Sequence, residues 1–553
     1  MAGVGLHWVP QSGRNLVGSS SQPTSRRENS QLNPEYQVKT VDVGVFRRER
    51  ALDASAPSSR HRLFETEHLR RNLRRRSVRG AVAAILGQSG RFIVQLAGVA
   101  LLARLLMPAD FGLFGKTIAL TGFITMIQTG GLSLSTIQRD RITHEQISML
   151  FWLNAALGVI AAGMIAALSP AMAWFYSDPR VLWLGLAMAG VVAISGLVVQ
   201  HDALMQRQMR FTAIAAINIM ALIAGYGAAI FSAWYGAGFW ALAVQQYATN
   251  LTLLLLLLVF CRWCPGLPRR NTGVRPMVKV GANQTGFNIL NFANRNLDKV
   301  LIGRFVSDAS LGWYTLAYRL LLLPVQQING PISAVVIPAL SRLQDQPERY
   351  ARFYFQAIGA IVFVGMPIVC FLLVDARSLI LLLLGSNWLP VVPIFQALGG
   401  AALVGTYNVA AGWVYTSLGR TDRQLRWGVI GTIVTLLAFF FGLPWGALGV
   451  AASFSAAQVL LTVPSLMYCF HGTSIRIRTM FLTLARPAAA AAIAALLLLA
   501  VKSEILDSPP EWIGLDGLIY GAGYLAVWIV IPGGRAQLRQ MLTALNELRH
   551  QKY

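Results

Sequence analysis

Four bases and one acid stand deep inside apolar stretches, where charge is costly: Arg91, Arg295, Lys299 and Arg319, with Asp298. An unpartnered charge at the centre of a hydrocarbon layer costs about 3 kcal/mol or more, so such residues should face water, a partner or a ligand. Their neighbours are amides at helical spacing. Gln284, Asn288, Asn291, Arg295 and Asp298 step by four, three, four and three, which places them on one helix face. Gln88, Arg91 and Gln95 repeat the pattern earlier in the chain; Thr121, Thr125, Gln128, Arg319, Gln326 and Asn329 extend the polar set. Four bases against one acid leave a positive lining even after Asp298 is paired. Such a lining suits an anion, and the guanidinium fork suits phosphate in particular. The amides suit a hydroxyl-rich cargo. An exporter of cationic drugs would instead want embedded carboxylates. The alternative is packing: Asn and Gln also hold membrane helices together, and Arg295 with Asp298 is also an i,i+3 ion pair.

The elements that must position these residues follow from composition. Of 553 residues, 55% are hydrophobic and 13% charged, against about 25% charged in soluble globular chains. A soluble enzyme is a poor fit. The excess of 47 Lys+Arg over 23 Asp+Glu, net +24, suggests nucleic acid until the bases are placed. A crossing helix needs about 20 residues. Apolar stretches of that order recur at 80–105, 111–133, 147–168, 181–200, 213–232, 238–260, 280–304, 311–338, 353–374, 391–417, 428–442, 446–468, 481–501 and 517–532. The expected fold is all-α and polytopic, with about 14 transmembrane helices. With the N-terminus inside, twenty-one Lys/Arg fall in inner connections and only Arg180, Arg377 and Lys502 in outer ones. That is the positive-inside asymmetry. It puts both termini in the cytoplasm and removes the need for a nucleic-acid partner. No outer connection is long enough for a catalytic domain.

The chain divides into a basic, disordered cytoplasmic tail (1–77), a six-helix lobe (78–262), a basic cytoplasmic linker (263–279), a second six-helix lobe (280–468), two extra helices (481–532) and a cytoplasmic tail (533–553). The tail carries fourteen Lys/Arg and seven acids, and is no signal peptide. The lobes carry a repeat offset by 200: LLARLLMPADFGLF (Leu101–Phe114) against LIGRFVSDASLGWY (Leu301–Tyr314), with Arg104/Arg304, Ala109/Ala309, Gly112/Gly312 and Phe114/Tyr314 in register. Each copy turns the corner between the first two helices of a lobe. Both copies start inside, so the lobes relate by an axis along the membrane normal, a transporter pattern with its binding site at the interface. The short apolar segment 376–388 is expected to lie along the membrane surface. Arg104, Lys116, Arg304 and Arg486, near helix ends, are expected to snorkel to headgroups.

Other motifs carry little. Cys261 and Cys264 form a CxxC without a second pair or a neighbouring His cluster, which is too few ligands for zinc. Gly115, Lys116 and Thr117 mimic the end of a P-loop, but Asp110 stands where that motif needs Gly. No cofactor and no metal are implied.

The segment FNILNFANRNLDKVLIGR (Phe287–Arg304), continuing to LGWYTLAYRL (Leu311–Leu320), resembles polysaccharide transporters of the Wzx type. IQRDRITHEQ (Ile137–Gln146), IPALSRLQD (Ile337–Asp345) and LGSNW (Leu384–Trp388) are similar to the branch that includes the colanic acid and succinoglycan exporters. The likeness spans about residues 78–535. It implies two six-helix lobes, as in the multidrug antiporters and peptidoglycan-precursor flippase of the same superfamily. It also implies a cargo: an oligosaccharide on undecaprenyl diphosphate, flipped across the bacterial cytoplasmic membrane for exopolysaccharide, capsule or O-antigen synthesis, with a polymerase and a chain-length regulator as partners. On that basis Arg91, Arg295, Lys299 and Arg319 are expected to meet the diphosphate. Gln88, Gln95, Gln284, Asn288 and Asn291 are expected to line the sugar path, and Asp298 to hold the bases in place or couple transport to protons. The alternatives are a multidrug antiporter of the same superfamily and, as an enzyme, a membrane-embedded polymerase or ligase.

Overall fold

The computed structural model describes residues 73–129, 133, 136–137, 142–268, 296–504, 509–531 and 534–535. The tail before residue 73, most of the linker 263–279, the first half of the expected seventh helix with Gln284, Asn288, Asn291 and Arg295, and the tail beyond 535 lie outside the described residues. Among those described, the regular elements are all helices. They are α1 (Leu73–Leu105), α2 (Pro108–Thr129), α3 (His144–Tyr176), α4 (Pro179–Arg207), α5 (Phe211–Trp234), α6 (Trp240–Cys261), α7 (296–305), α8 (Asp308–Arg342), α9 (Pro347–Val374), a bent α10 (Val391–Ala397 with Gly399–Ser417), α11 (Thr421–Gly442), α12 (Gly446–Phe470), α13 (Ile477–Glu504) and α14 (Ile513–Val530). Nine described stretches are long and apolar enough to cross a membrane, and bent pairs at α8 and α10 raise this to eleven. One of the nine, Thr421–Phe470, is fifty residues and so about 75 Å of helix, too long for one crossing. It folds back at the 3-10 turn Leu443–Trp445, where α11 and α12 pack side by side. α2, with Asp110 and Lys116, is not one of the nine, and α7 is described only at one end.

Local chemistry fixes the helix ends. Thr143 caps α3 in a reciprocal box with Gln146, Asp178 followed by Pro179 starts α4, and Ser307 starts α8. α8 bends by 42° at Pro324, and the halves of α10 meet at 43°. At the end holding the connections 208–210, 418–420 and 471–476, arginines satisfy orphan carbonyls. Arg420 and Arg423 donate to His471 O, both at 2.9 Å, and Arg210 donates to Phe260 O at 2.8 Å. We call this the basic end, and the opposite one the corner end.

The first lobe is built from α3 on α4, α5 on α6 and α1 on α5; the second from α8 and α12 on α10, with α11 on α12. α13 and α14 pack against α9. At the corner end Lys502 of α13 meets Asp516 of α14 at 2.8 Å, and also meets Asp375 after α9. Tyr524 donates to Phe363 O at 2.9 Å. Two six-helix lobes with two appended helices are the architecture expected from sequence.

Segment 376–388 also reaches across to the other lobe. It forms a short helix, Ala376–Leu383, and a 3-10 turn, Ser386–Trp388, and both dock on the other lobe. Trp388 is fully buried, donates its indole N–H to Ala103 O at 2.7 Å and meets Phe111 edge-on. Arg104, expected at a headgroup, donates to Leu382 O. The apolar residues of this segment cover the first lobe's corner.

Candidate functional site at the lobe interface

The two copies of the sequence repeat touch each other. A Cβ on Gly112 would fall 1.8 Å from Asp308 O, and one on Gly312 would fall 2.0 Å from Pro108 O. Gly112 and Gly312 are repeat mates, as are Pro108 and Asp308, so the pseudo-twofold axis runs through this crossing of α2 and α8. Two helices approach this closely only where both present glycine. Around the crossing sits a charge network. Lys116 of α2, 5% exposed, pairs with Asp308 and lies 4.0 Å from Asp178. Arg180 holds Asp178 at 2.8 Å and Asp308 at 3.0 Å. The Arg180 side-chain hydrogen bond, the largest effect, keeps the Asp178 carboxyl below the usual carboxylate range, against the opposing cost of burial. Lys116 also lies 5.3 Å from the Tyr176 ring. With Trp388 under Ala103, these contacts seal the corner end between the lobes.

Toward the middle, several expected residues meet. Asp298, buried, accepts from Tyr314 O–H at 2.8 Å and from the Lys299 backbone N–H at 2.8 Å. The Lys299 ammonium donates to Asn296 Oδ1 at 2.9 Å and sits 5.5 Å from the Tyr318 ring. Arg319 donates to Tyr226 O–H across the lobes at 3.3 Å, and Gln88 of α1 bonds Gln327 of α8. Tyr226 is pressed against Gly98 of α1. Arg91 is exposed and acts on the carboxylate of Asp202. Gln95 is half-buried on the same helix. Arg319 and Gln88 therefore bridge the lobes, and Lys299 stands on the second lobe beside Asn296 and Tyr318.

Beside this junction lies a cavity of about 1010 Å³, walled by α2 and α3 of one lobe and α7, α10, α11 and α12 of the other. Its walls are largely apolar, with Asn296, Asn408 and Gln424 among the polar lining residues. Arg304, at the corner end of α7, rests 5.7 Å from the ring of Phe175, which lines it.

Residues 101–393, more than half of the chain, match the family described as polysaccharide biosynthesis protein. The chain belongs to that family. A lipopolysaccharide biosynthesis protein of Escherichia coli, WzxC, is 27% identical over 71% of this chain and 81% of its own length. The succinoglycan biosynthesis transport protein ExoT of Rhizobium meliloti is 23% identical over 66% of this chain and 74% of its own. Among solved structures, the lipid II flippase MurJ superposes with a TM-score of 0.67 at 13% identity, covering 81% of this chain and 98% of that one. At that identity the likeness speaks for the fold, that of a multi-pass membrane protein.

Sequence reasoning missed three things in this family member. The apolar run 181–200 ends before Asp202, yet α4 continues through Arg207 and carries it, so Asp298 is not the sole acid near the deep bases. Asp178 caps α4, and Arg180 and Asp308 sit in the first turns of α4 and α8, but nothing local in the sequence marks the three as partners. Lys116, expected to snorkel, is held between the lobes by Asp308, whereas Arg304 stays exposed beside the Phe175 ring.

Proposed function

We propose that this family member translocates an oligosaccharide linked to undecaprenyl diphosphate across the bacterial cytoplasmic membrane by alternating access. The observation that carries the reading is a lobe junction sealed at one end by the paired repeat, with cations and amides (Lys299, Arg319, Gln88, Asn296) gathered beneath the seal. Cations fit a diphosphate and amides fit sugar hydroxyls. Relatives with transport and lipopolysaccharide-assembly names support the same cargo class. The charge asymmetry of the loops supports a cytoplasmic basic end and an outer corner end, with both termini inside; the sealed state is then closed to the outside. Arg91 and Arg295 complete the diphosphate set, and Gln95, Gln284, Asn288 and Asn291 the sugar path. Asp298, clamped by Tyr314, acts as a fixed counter-charge to Lys299. A polymerase and a chain-length regulator are the partners that consume the flipped unit. The protein itself performs no covalent step.

In a strain lacking the gene, lipid-linked repeat units are expected to accumulate in the cytoplasmic leaflet, and the wild-type gene restores surface polymer. Accumulation in the outer leaflet would point instead to a polymerase or ligase, and gain of resistance to cationic dyes without polymer to an antiporter. Arg295→Ala is expected to block export while the protein still inserts, and Arg295→Lys to be impaired because an ammonium offers no bidentate fork. Full activity of both would remove the guanidinium from the account.

A further inference from the structure

We infer that the polyprenyl chain of the substrate enters and leaves through the α7 side of the molecule, lying in the apolar groove between α2–α3 and α10–α11. This rests on the proposed function for the identity of the lipid; the choice of side comes from the structure. The lobes have two lateral seams, and they differ. On the α1–α8 seam the lobes are stitched: Gln88 bonds Gln327, and Arg319 reaches Tyr226, which packs on α1. On the α7 seam they are parted by the cavity of about 1010 Å³, at the upper limit of the roughly 300–1,000 Å³ common for ligand sites.

The groove has the shape and chemistry of a lipid track. It reaches from Phe175 and Tyr176 at the corner end of α3 to Gln424 and Trp427 at the basic end of α11, so it runs along the bilayer normal. Leu425, Val429 and Ile433 supply an apolar wall that is 50%, 51% and 53% exposed. Gly412 and Gly428 line it with nothing within 4 Å of where a Cβ would stand, which keeps the floor open. The occupant is fixed by what adjoins it. Asn296 lines the groove and accepts from the Lys299 ammonium, so a chain lying in the groove brings its diphosphate to Lys299. A neutral or zwitterionic bilayer lipid gains less from that cation, and a double-tailed lipid has a second chain to place.

The test uses the full-length protein in phosphatidylethanolamine–phosphatidylglycerol vesicles with a diazirine-bearing polyprenyl diphosphate. Adducts are expected on α10 and α11, suppressed by excess unlabelled polyprenyl diphosphate and not by added phosphatidylglycerol. Gly428→Phe and Gly412→Leu put side chains into open groove at helix positions where glycine is the poorer helix former. Each is expected to cut adduct yield and flipping by roughly tenfold or more, since one misfit in an apolar pocket is worth about 10- to 200-fold. Adducts on α1 and α8, adducts competed equally by phosphatidylglycerol, or wild-type flipping by both folded variants would overturn the assignment. The arms separate the two claims. If wild-type protein does not flip the lipid-linked oligosaccharide, the proposed function fails whatever the adducts; if it flips but labels on the α1–α8 seam, only the portal fails.

Discussion

The glycine crossing makes the sharpest mechanical prediction. Replacing Gly112 by Ala places a Cβ 1.8 Å from Asp308 O, which is 1.6 Å inside the 3.4 Å where ordinary contact begins; Gly312→Ala does the same to Pro108 O from 2.0 Å. The obstructing atoms are backbone, so no rotamer relieves the clash. The relief that leaves both helices intact is parting of α2 from α8 at the corner end. Overpacking typically costs about 1–3 kcal/mol. Levied on the corner-closed state alone, that shifts the equilibrium between closed and open by about 5- to 150-fold. The shift is read by electron–electron distances between spin labels at Trp174 and Trp445, exposed positions at the corner ends of the two lobes, after replacement of the four native cysteines. A longer, more populated distance is expected in either alanine variant and none in Gly163→Ala, whose added Cβ meets nothing within 4 Å. Distance distributions identical to wild type in both crossing variants would refute the crossing as the seal.

Three further outcomes follow from the same region. Asp308→Asn removes the nearer of the two carboxylates beside buried Lys116, leaving Asp178 at 4.0 Å, and is expected to lower stability by about 3 kcal/mol, measured as a drop in thermal midpoint, with Lys116→Met in the same chain recovering part of it. Trp388→Ala removes a fully buried indole and its bond to Ala103 O; a loss of about 3–5 kcal/mol and a loosened corner are expected by the same thermal and distance readouts. Asp178 has its carboxyl depressed in the folded protein, so its contribution is full above the ordinary carboxylate pKa of about 3.9 and is lost as pH falls through the lower folded value. Corner closure should therefore hold from neutrality to pH 4 and loosen only below. Asp178→Asn should flatten that acid limb in a pH series of the label distance.

Much of the architecture was legible because the bilayer imposes simple periodicity. Apolar runs of fixed length gave the helices, and the offset of 200 between Leu101–Phe114 and Leu301–Tyr314 gave the lobe symmetry. What escaped depends on contacts between distant segments. Lys116 and Asp308 are 192 positions apart, and neither carries a local mark that it will meet the other. LGSNW was visible as a motif, but burial of Trp388 under Ala103 was not. Helical spacing grouped Gln88 with Arg91; only the fold gave Gln88 its partner Gln327 and Arg91 its neighbour Asp202. The groove was invisible for the same reason, since its walls come from six helices in two lobes.

The central claim is movement of a lipid-linked anion past cations at the lobe junction. Purified protein in vesicles, given a fluorescent oligosaccharide on polyprenyl diphosphate and an impermeant quencher, measures it directly. The account predicts that wild-type protein makes the inner-leaflet pool accessible, and that Lys299→Gln together with Arg319→Gln slows this by at least about tenfold while the folded fraction is unchanged. Equal rates for that variant and wild type, or no transfer by wild type beyond protein-free vesicles, would contradict it.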